Sequence, residues 1–415
     1  MRYFITTKVS IGYRVTPLLV CCFFLITVSL AAQTIDNGWP RHTIDKTGRG
    51  ADGVRLYDVD QDGREDIVTG WEQSGHVCIY FCPEPTKTKE PWPRVVVGQR
   101  TSVEDAVAID TNEDGIAEII SCHEGGQQCV LVHRFQRTGN SPSREELLDS
   151  RNWETTEIAS CHKQTRWMFA APIFRANALQ GILLGSKNTN GQVALLAPPA
   201  DPLTEAVPIE SWSLIPLQPA GWIMSIFPYD MDNDGDDDVV ISDRKGSLRG
   251  VYWLEHPDES QLTTPGAWRR HEVVGNTYEV MFLDVGDNQI TTATRDGVIL
   301  KSTFEESREW TTIAIENPLQ ILNGKAVRRL GLQASETFVL TTNTGTNAAD
   351  RKKPGVYLFD LSTPDRAINV SGPEGKKFDC IEVQDLDNDG DLDIITCEER
   401  DNLGVFWYEN PGKKE

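Results

Sequence analysis

Short runs of β-branched and aromatic residues, bounded by Gly, Pro, Asn and Asp, recur along the chain from residue 39 onward. Four of these runs leave the same acidic loop: DVDQDGREDIV from Asp58, DTNEDGIAEII from Asp110, DMDNDGDDDVV from Asp230 and DLDNDGDLDII from Asp385. Each loop passes straight into an apolar, β-branched stretch, which predicts a strand. The loops lie 52, 120 and 155 residues apart, close to one, two and three copies of one period. Three further units have therefore lost the loop. They are found as RWMFAAPIF then GILLGSK near 166–187, EVMFLDVGD then ITTATR near 279–295, and GKAVRRLGL then FVLTTNTG near 324–345.

A glycine-bearing turn and a third strand follow in each unit, as in SGHVCIYFCPEP, GQVALLAPP, RGVYWLEHP and LGVFWYENP. Their closing prolines end the strand. A fourth strand is announced by Trp92, Trp153, Trp212, Trp268 and Trp310, while AINVSG near 367 lacks the aromatic. Four short strands per unit and seven units predict an all-β fold, a seven-bladed β-propeller. The blades fall near 51–98, 103–160, 166–217, 222–275, 278–317, 324–371 and 377–410. The last unit has no room for a fourth strand, and WPRHTID at Trp39 stands alone, so strand 39–45 is expected to close the ring. Closure leaves no long free edge. Most tryptophans are expected to fill space between blades.

Basic residues Arg2, Lys8 and Arg14 precede an apolar run from Leu18 to Leu30 and the small residues Ala31 and Ala32. This describes a secretory signal over residues 1–32, with residues 33–415 as one propeller domain; an uncleaved anchor is the alternative. A cleaved signal leaves no integral membrane segment and a secreted, periplasmic or cell-surface protein. The net charge is −22, or −25 without that segment. Such a surface repels phosphate backbones and argues against a nucleic-acid partner. Seven of nine cysteines lie beyond the segment. Cys122 with Cys129 and Cys380 with Cys397 fall on neighbouring strands, where either a bridge or buried free thiols can stand.

The four loops gather hard oxygen ligands at alternating positions, which select calcium. The set is Asp58, Asp60, Asp62, Arg64 and Asp66; Asp110, Asn112, Asp114, Ile116 and Glu118; Asp230, Asp232, Asp234, Asp236 and Asp238; and Asp385, Asp387, Asp389, Asp391 and Asp393. Asn112 and Glu118 make the second loop the weakest. Asp284 and Asp287 in DVGDNQ look like a decayed loop. The chain thus resembles the FG-GAP/VCBS-repeat family, the propellers also found in integrin α subunits, over nearly all of its length after the signal. That resemblance implies calcium held between the first and second strands of a blade.

With metal loops on one face, strand starts and second-strand ends are expected to ring a funnel on the other. Strand starts contribute Asp52, Glu104, Asp105, Arg166, Trp167, Trp222, Glu279, Lys325, Lys377 and Asp379. Second-strand ends contribute Glu72, His123, Glu124, Lys187, Asp243, Arg244, Lys245, Arg295, Glu398 and Glu399. Acids, bases and aromatics in one pocket suit a polar, sugar-like ligand. A glycan or an extracellular protein ligand is the expected partner. As a second expectation, His123 or Asp105 would act as base and Lys187, Arg244 or Lys325 would stabilise an enolate in a carbohydrate lyase or dehydratase. The chain is more weakly similar to the propeller part of aldos-2-ulose dehydratase, and seven-bladed folds occur among polysaccharide lyases; that similarity is architectural. No nucleophile elbow, phosphate loop or dinucleotide fingerprint is present.

Overall fold

A computed structural model describes residues 33–35, 38–136, 142–199, 207–286, 288–305, 309–316, 323–331, 337–343, 355–360 and 366–412. The expected signal at 1–32 and Asp287 lie outside the described residues. The described strands form seven antiparallel four-stranded sheets, one of them extended by a fifth strand. Blades one to seven begin with inner strands Ala51–Tyr57, Val103–Ile109, Arg166–Arg175, Ile223–Tyr229, Val280–Gly286, Gly324–Arg329 and Phe378–Gln384. Each inner strand packs on the next and the seventh packs on the first, so the sheets form a closed ring. The expected seven-bladed propeller is what the chain adopts.

Arg41–Asp45 pairs antiparallel with Gly404–Tyr408 and supplies the fourth strand of blade seven, as the orphan WPRHTID run required. An unexpected strand, Gln33–Ile35, runs parallel to Arg366–Asn369 along the outer edge of blade six. It covers an edge that would otherwise offer unpaired backbone groups. Blade three, which lacks the acidic loop, joins two long strands, Arg166–Arg175 and Ala178–Lys187, through Ala176 and Asn177. Both turn residues have positive φ, 47° and 67°, the conformation that a two-residue hairpin of matching twist demands.

The core is made between blades. Val68, Val77 and Ile79 of blade one meet Val103 and Ile119 of blade two, and Leu183 and Leu195 of blade three meet Ile226 and Val239 of blade four. Tryptophans entering the fourth strands have a second task. The indole N–H groups of Trp92, Trp153, Trp212 and Trp268 donate to the carbonyls of Thr88, Leu147, Val207 and Leu262 at 2.9–3.0 Å. Each ring thereby buries its face and ties down the segment that leads into its own strand. All seven described cysteines carry free thiols, six of them buried and Cys380 half-buried, so neither candidate bridge is formed.

The seam between blades seven and one rests on two further indoles. Trp407 donates to the Thr88 carbonyl at 3.2 Å, and Trp71 donates to Tyr80, whose hydroxyl donates to Asp45 in the closing strand. Both rings are fully buried. Replacing Trp407 by alanine leaves a cavity at the junction of blades seven and one, which joins the two ends of the propeller sequence. The expected loss is about 3–5 kcal/mol of unfolding free energy in urea. A loss under about 1 kcal/mol would show that the seam does not depend on this ring.

Candidate functional site

In every blade the ladder between the first two strands slips near the start of the inner strand. The slips lie between Asp52 and Arg55, Val103 and Asp105, Trp167 and Phe169, Ile223 and Ser225, Val280 and Leu283, Gly324 and Val327, and Phe378 and Ile381. A bulge of this kind frees a residue from pairing and re-aims its side chain. In blade one the freed positions are Gly53 and Val54, and the Gly53 φ of 89° favours a residue without Cβ. Elsewhere the freed residues include Glu104, Met168, Met224, Phe282 and Lys325, and these line an axial cup of about 270 Å³. Phe282 meets Phe169 edge to face at 5.5 Å and helps form the apolar floor.

The mouth of the cup is built by the alternation of strand side chains. In three blades the last inward-turned residue of the second strand clamps the segment entering the inner strand. His123 Nδ1 meets the Thr101 carbonyl at 3.0 Å. Asp243 accepts from the amides of Gly221 and Trp222 at 2.9 and 2.8 Å, and Glu398 accepts from those of Lys376 and Lys377 at 3.1 Å. The next residue along lines the cup. Across the seven blades these are Glu72, Glu124, Lys187, Arg244, Arg295, Asn343 and Glu399. Blades seven, one and two thus present an acidic arc and blades three, four and five a basic one.

Lys187 stands where the arcs meet, 3.2 Å from Glu104 and 2.6 Å from Glu124. Burial pushes the Glu104 carboxyl up to about 7, while Lys187 pulls against it. On the basic side, the Trp222 ring carries Lys187, Arg244 and Lys245 within 4.5–4.7 Å of its centroid, a cation–π cluster. Arg244 also pairs with Glu279. Lys377 bridges Asp379 and Glu399, and Lys325 completes the Asp379 pair. Among the described residues, three buried polar atoms of the lining find no hydrogen-bond partner: Trp222 Nε1, Asn323 Nδ2 and Asn343 Oδ1.

The structure therefore brings Glu104, Lys187, Trp222, Arg244, Lys325 and Lys377 to one cup, with Lys245, Glu279 and Asp379 beside them. Other expected residues lie elsewhere. Asp105 is buried, held by Arg55 at 2.9 and 3.1 Å and by the Ala170 amide. His123 is buried in a chain of hydrogen bonds through Ser121 to His133, each step 2.8 Å. Trp167 is a blade spacer that donates to the Cys161 carbonyl, and Arg166 is exposed. Asp243 and Glu398 are the clamps that hold Trp222 and Lys377 in place. Asn323, Asn343 and Phe282 were not singled out from sequence. The strand alternation that locates Lys187 also locates Asn343, because blade six keeps the same register.

On the opposite face the four acidic loops share one turn. Their first aspartates accept from the amide four residues on and from that of the following glycine at 2.8–3.2 Å. The glycines sit at φ of 85–97°, which a side chain would oppose. The ninth-position acid latches the loop to the third-strand end: Asp66 accepts from Val59 and Cys82, Asp238 from Met231 and His256, and Asp393 from Leu386 and Asn410. Three groups of acids converge well enough to hold a cation: Asp58, Asp60 and Asp62; Asp230, Asp232 and Asp234; and Asp385, Asp387 and Asp393. Asp60 and Asp387 each keep one buried carboxylate oxygen with no hydrogen bond, and their other oxygens face Arg144 and Lys89. A bare buried oxygen of this kind suits a calcium-sized cation. In blade two, Glu118 is instead tied to Thr111, Asn112 and Arg134. Around the axis between these loops opens a wider cavity of about 1290 Å³, with Phe174, Phe227 and the Arg328–Asp284 pair in its wall.

No family profile matches the chain, and no curated protein matches it. Among solved structures, the fold is similar to BBS1N in its complex with ARL6DN soaked with mercury, with a TM-score of 0.55, 8% identity, and coverage of 92% of this chain and 99% of that one. The lead-soaked form of the same complex gives a TM-score of 0.53 at 8% identity over the same shares. The computationally designed Ika8 protein gives 0.44 at 11% identity, covering 90% of this chain and 100% of that one. At these identities the likeness concerns the fold.

Burial lowers His123 to about 4 and His133 to about 3. Below the unfolded imidazole value near 6.5 the unfolded chain takes up protons that the folded chain refuses. Stability from these two groups is thus fully present above pH 6.5 and is lost as pH falls towards 4. The expected relative loss at pH 5 is about 2 kcal/mol per imidazole. In urea melts, the cost of the H123Q/H133Q double substitution should be smaller at pH 5 than at pH 7. A cost independent of pH would show that the imidazoles are not held neutral.

Proposed function

We propose that this chain is an exported, calcium-stabilised propeller that recognises a glycan or an extracellular protein ligand through its axial cup. The observation that carries the reading is the convergence of one charged or amide side chain from every blade on a single cup beside an indole face. Sugars are bound by polar groups that hydrogen-bond in the plane of the ring and by an aromatic face below it. Trp222, with cations on its face, supplies the aromatic element, and the spare polar atoms of Asn323 and Asn343 supply unused hydrogen-bonding capacity. The cup volume suits one or two sugar units more than a folded protein surface. Export follows from the charge and apolar pattern of the N-terminal sequence.

Carbohydrate lyase or dehydratase chemistry is the second reading, favoured by one observation. Burial raises Glu104 to about 7 against the pull of Lys187, while neighbouring Glu124 is held below the usual carboxylate range, burial opposing and Lys187 favouring the charged form. Two acids with separated proton affinities suit general acid and general base roles, and this moves the candidate base from His123 and Asp105 to the Glu104–Glu124 pair. Saturable binding of acidic polysaccharides or keto-sugars that disappears in W222A, with no growth in ultraviolet absorbance, is the outcome expected for recognition. Absorbance growth from a new conjugated double bond, lost in E104Q, would replace the binding reading with the enzymatic one.

Calcium would be held by the Asp58, Asp230 and Asp385 loops, fastening the first two strands of each blade. At about 1 mM calcium and a site affinity of about 0.1 mM, each site adds roughly 1.4 kcal/mol. Chelation is expected to lower the melting temperature and added calcium to restore it. An unchanged melt in chelator would remove calcium from the account.

A further inference from the structure

The two arcs of the cup mouth are unequal in what they leave unused. On the acidic arc, Glu72 makes no ion pair or side-chain hydrogen bond among the described residues, although its carboxylate lies within 4.8 Å of those of Glu104 and Glu124. Asp52 and Glu399 form a second such group with Glu72. With Asp379, six carboxylates thus share the charges of Lys187, Lys325 and Lys377. Burial, followed by the Asp379 charge, raises Asp52 well above its ordinary value, another sign of an under-neutralised cluster. Neutral hydroxyls would leave that repulsion in place, whereas a cation relieves it.

The basic arc has the opposite surplus. Lys245 makes no ion pair among the described residues, though it sits 4.5 Å from the Trp222 centroid. Asn323 is 6% exposed and its Oδ1 is taken by Arg295 at 2.7 and 3.0 Å. Its Nδ2, like Trp222 Nε1, is a buried donor with no acceptor. Two N–H groups with no acceptor and the unpaired Lys245 call for an anionic acceptor with more than one oxygen. Because Lys187 touches both Glu124 and the Trp222 face, the two surpluses lie within the span of one small molecule.

From this polarity we infer that the cup takes a small dipolar ion: a polar compound with a carboxylate against Trp222, Lys245 and Asn323 and an ammonium group against Glu72 and Glu104. The amino-sugar acids carry both groups on a hydroxylated chain and are the fitting class. This inference rests on the proposal that the cup binds a sugar-like ligand, and it specifies the charges at the two ends.

Four open-chain polyols separate the two ideas in titration calorimetry on the full chain in calcium. 6-Amino-6-deoxygluconate bears the two charges at opposite ends, gluconate the carboxylate alone, 6-amino-6-deoxyglucitol the ammonium alone, and glucitol neither. The doubly charged probe is expected to bind about ten- to hundredfold more tightly than either singly charged analogue. K245M should remove most of its advantage over 6-amino-6-deoxyglucitol, and E72Q most of its advantage over gluconate, while both variants keep the native melting temperature. Lys245 is exposed and Glu72 is at the mouth, so neither change disturbs the core. Equal binding of gluconate and 6-amino-6-deoxygluconate, with E72Q silent, overturns the dipolar inference and leaves the sugar-like reading standing. Binding of neutral glycans while all four probes fail overturns it in the same way. Failure of these probes and of every glycan overturns both.

Discussion

Closure of the ring is the constraint on which the remaining features depend. Each sheet has an apolar face it cannot bury alone, and every face is covered by the neighbouring blade, so the core exists only when the seventh blade meets the first. That last junction is the costly one because it joins distant parts of the chain. Here it is made by backbone pairing of Arg41–Asp45 with Gly404–Tyr408, by the buried hydrogen-bond chain from Trp71 through Tyr80 to Asp45, and by the Trp407 bond to the Thr88 carbonyl. An indole at this place contributes area and also fixes angle, since its N–H has one acceptor to find.

Seven sheets converging on an axis crowd their inner strands, and the repeated bulge near each strand start accommodates the required twist. The same distortion has a chemical result. It releases Glu104, Met168, Met224, Phe282 and Lys325 from the ladder and turns them to the axis. The apolar members Met224 and Phe282 stand between the polar cup and the wall of the wider cavity on the other face. Clamps such as Asp243 and Glu398 use buried carboxylates to hold backbone amides, an arrangement that positions Trp222 and Lys377 rigidly. Preorganisation of this sort is what a selective polar site needs.

The two faces use their charged side chains differently. On the loop face, carboxylates serve the fold: first-position acids shape the turn and ninth-position acids latch one strand to another. Cations reach across from the next blade, Arg144 onto Asp60 and Lys89 onto Asp387, so each loop also fastens two blades together. On the cup face, charge remains incompletely matched, and that residual mismatch is where ligand specificity can reside.

The repeat is legible in sequence because its signals are local: an acidic loop with glycine at a fixed offset, a β-branched strand after it, a tryptophan before the fourth strand. Blade number, the closing strand and the funnel face all follow from counting those signals. Strand position alone places Asp105 and His123 at the funnel, yet both are buried, because neighbouring residues on a strand point to opposite faces and a bulge shifts that alternation by a residue or two. No sequence signal fixes where a bulge falls. Tertiary structure alone decided that Glu124 rather than His123, and Arg244 rather than Asp243, reaches the axis, and that acids and bases sort into opposing arcs. Composition gave the number of charges; their arrangement depends on which blades stand side by side, a relation created only when the ring closes.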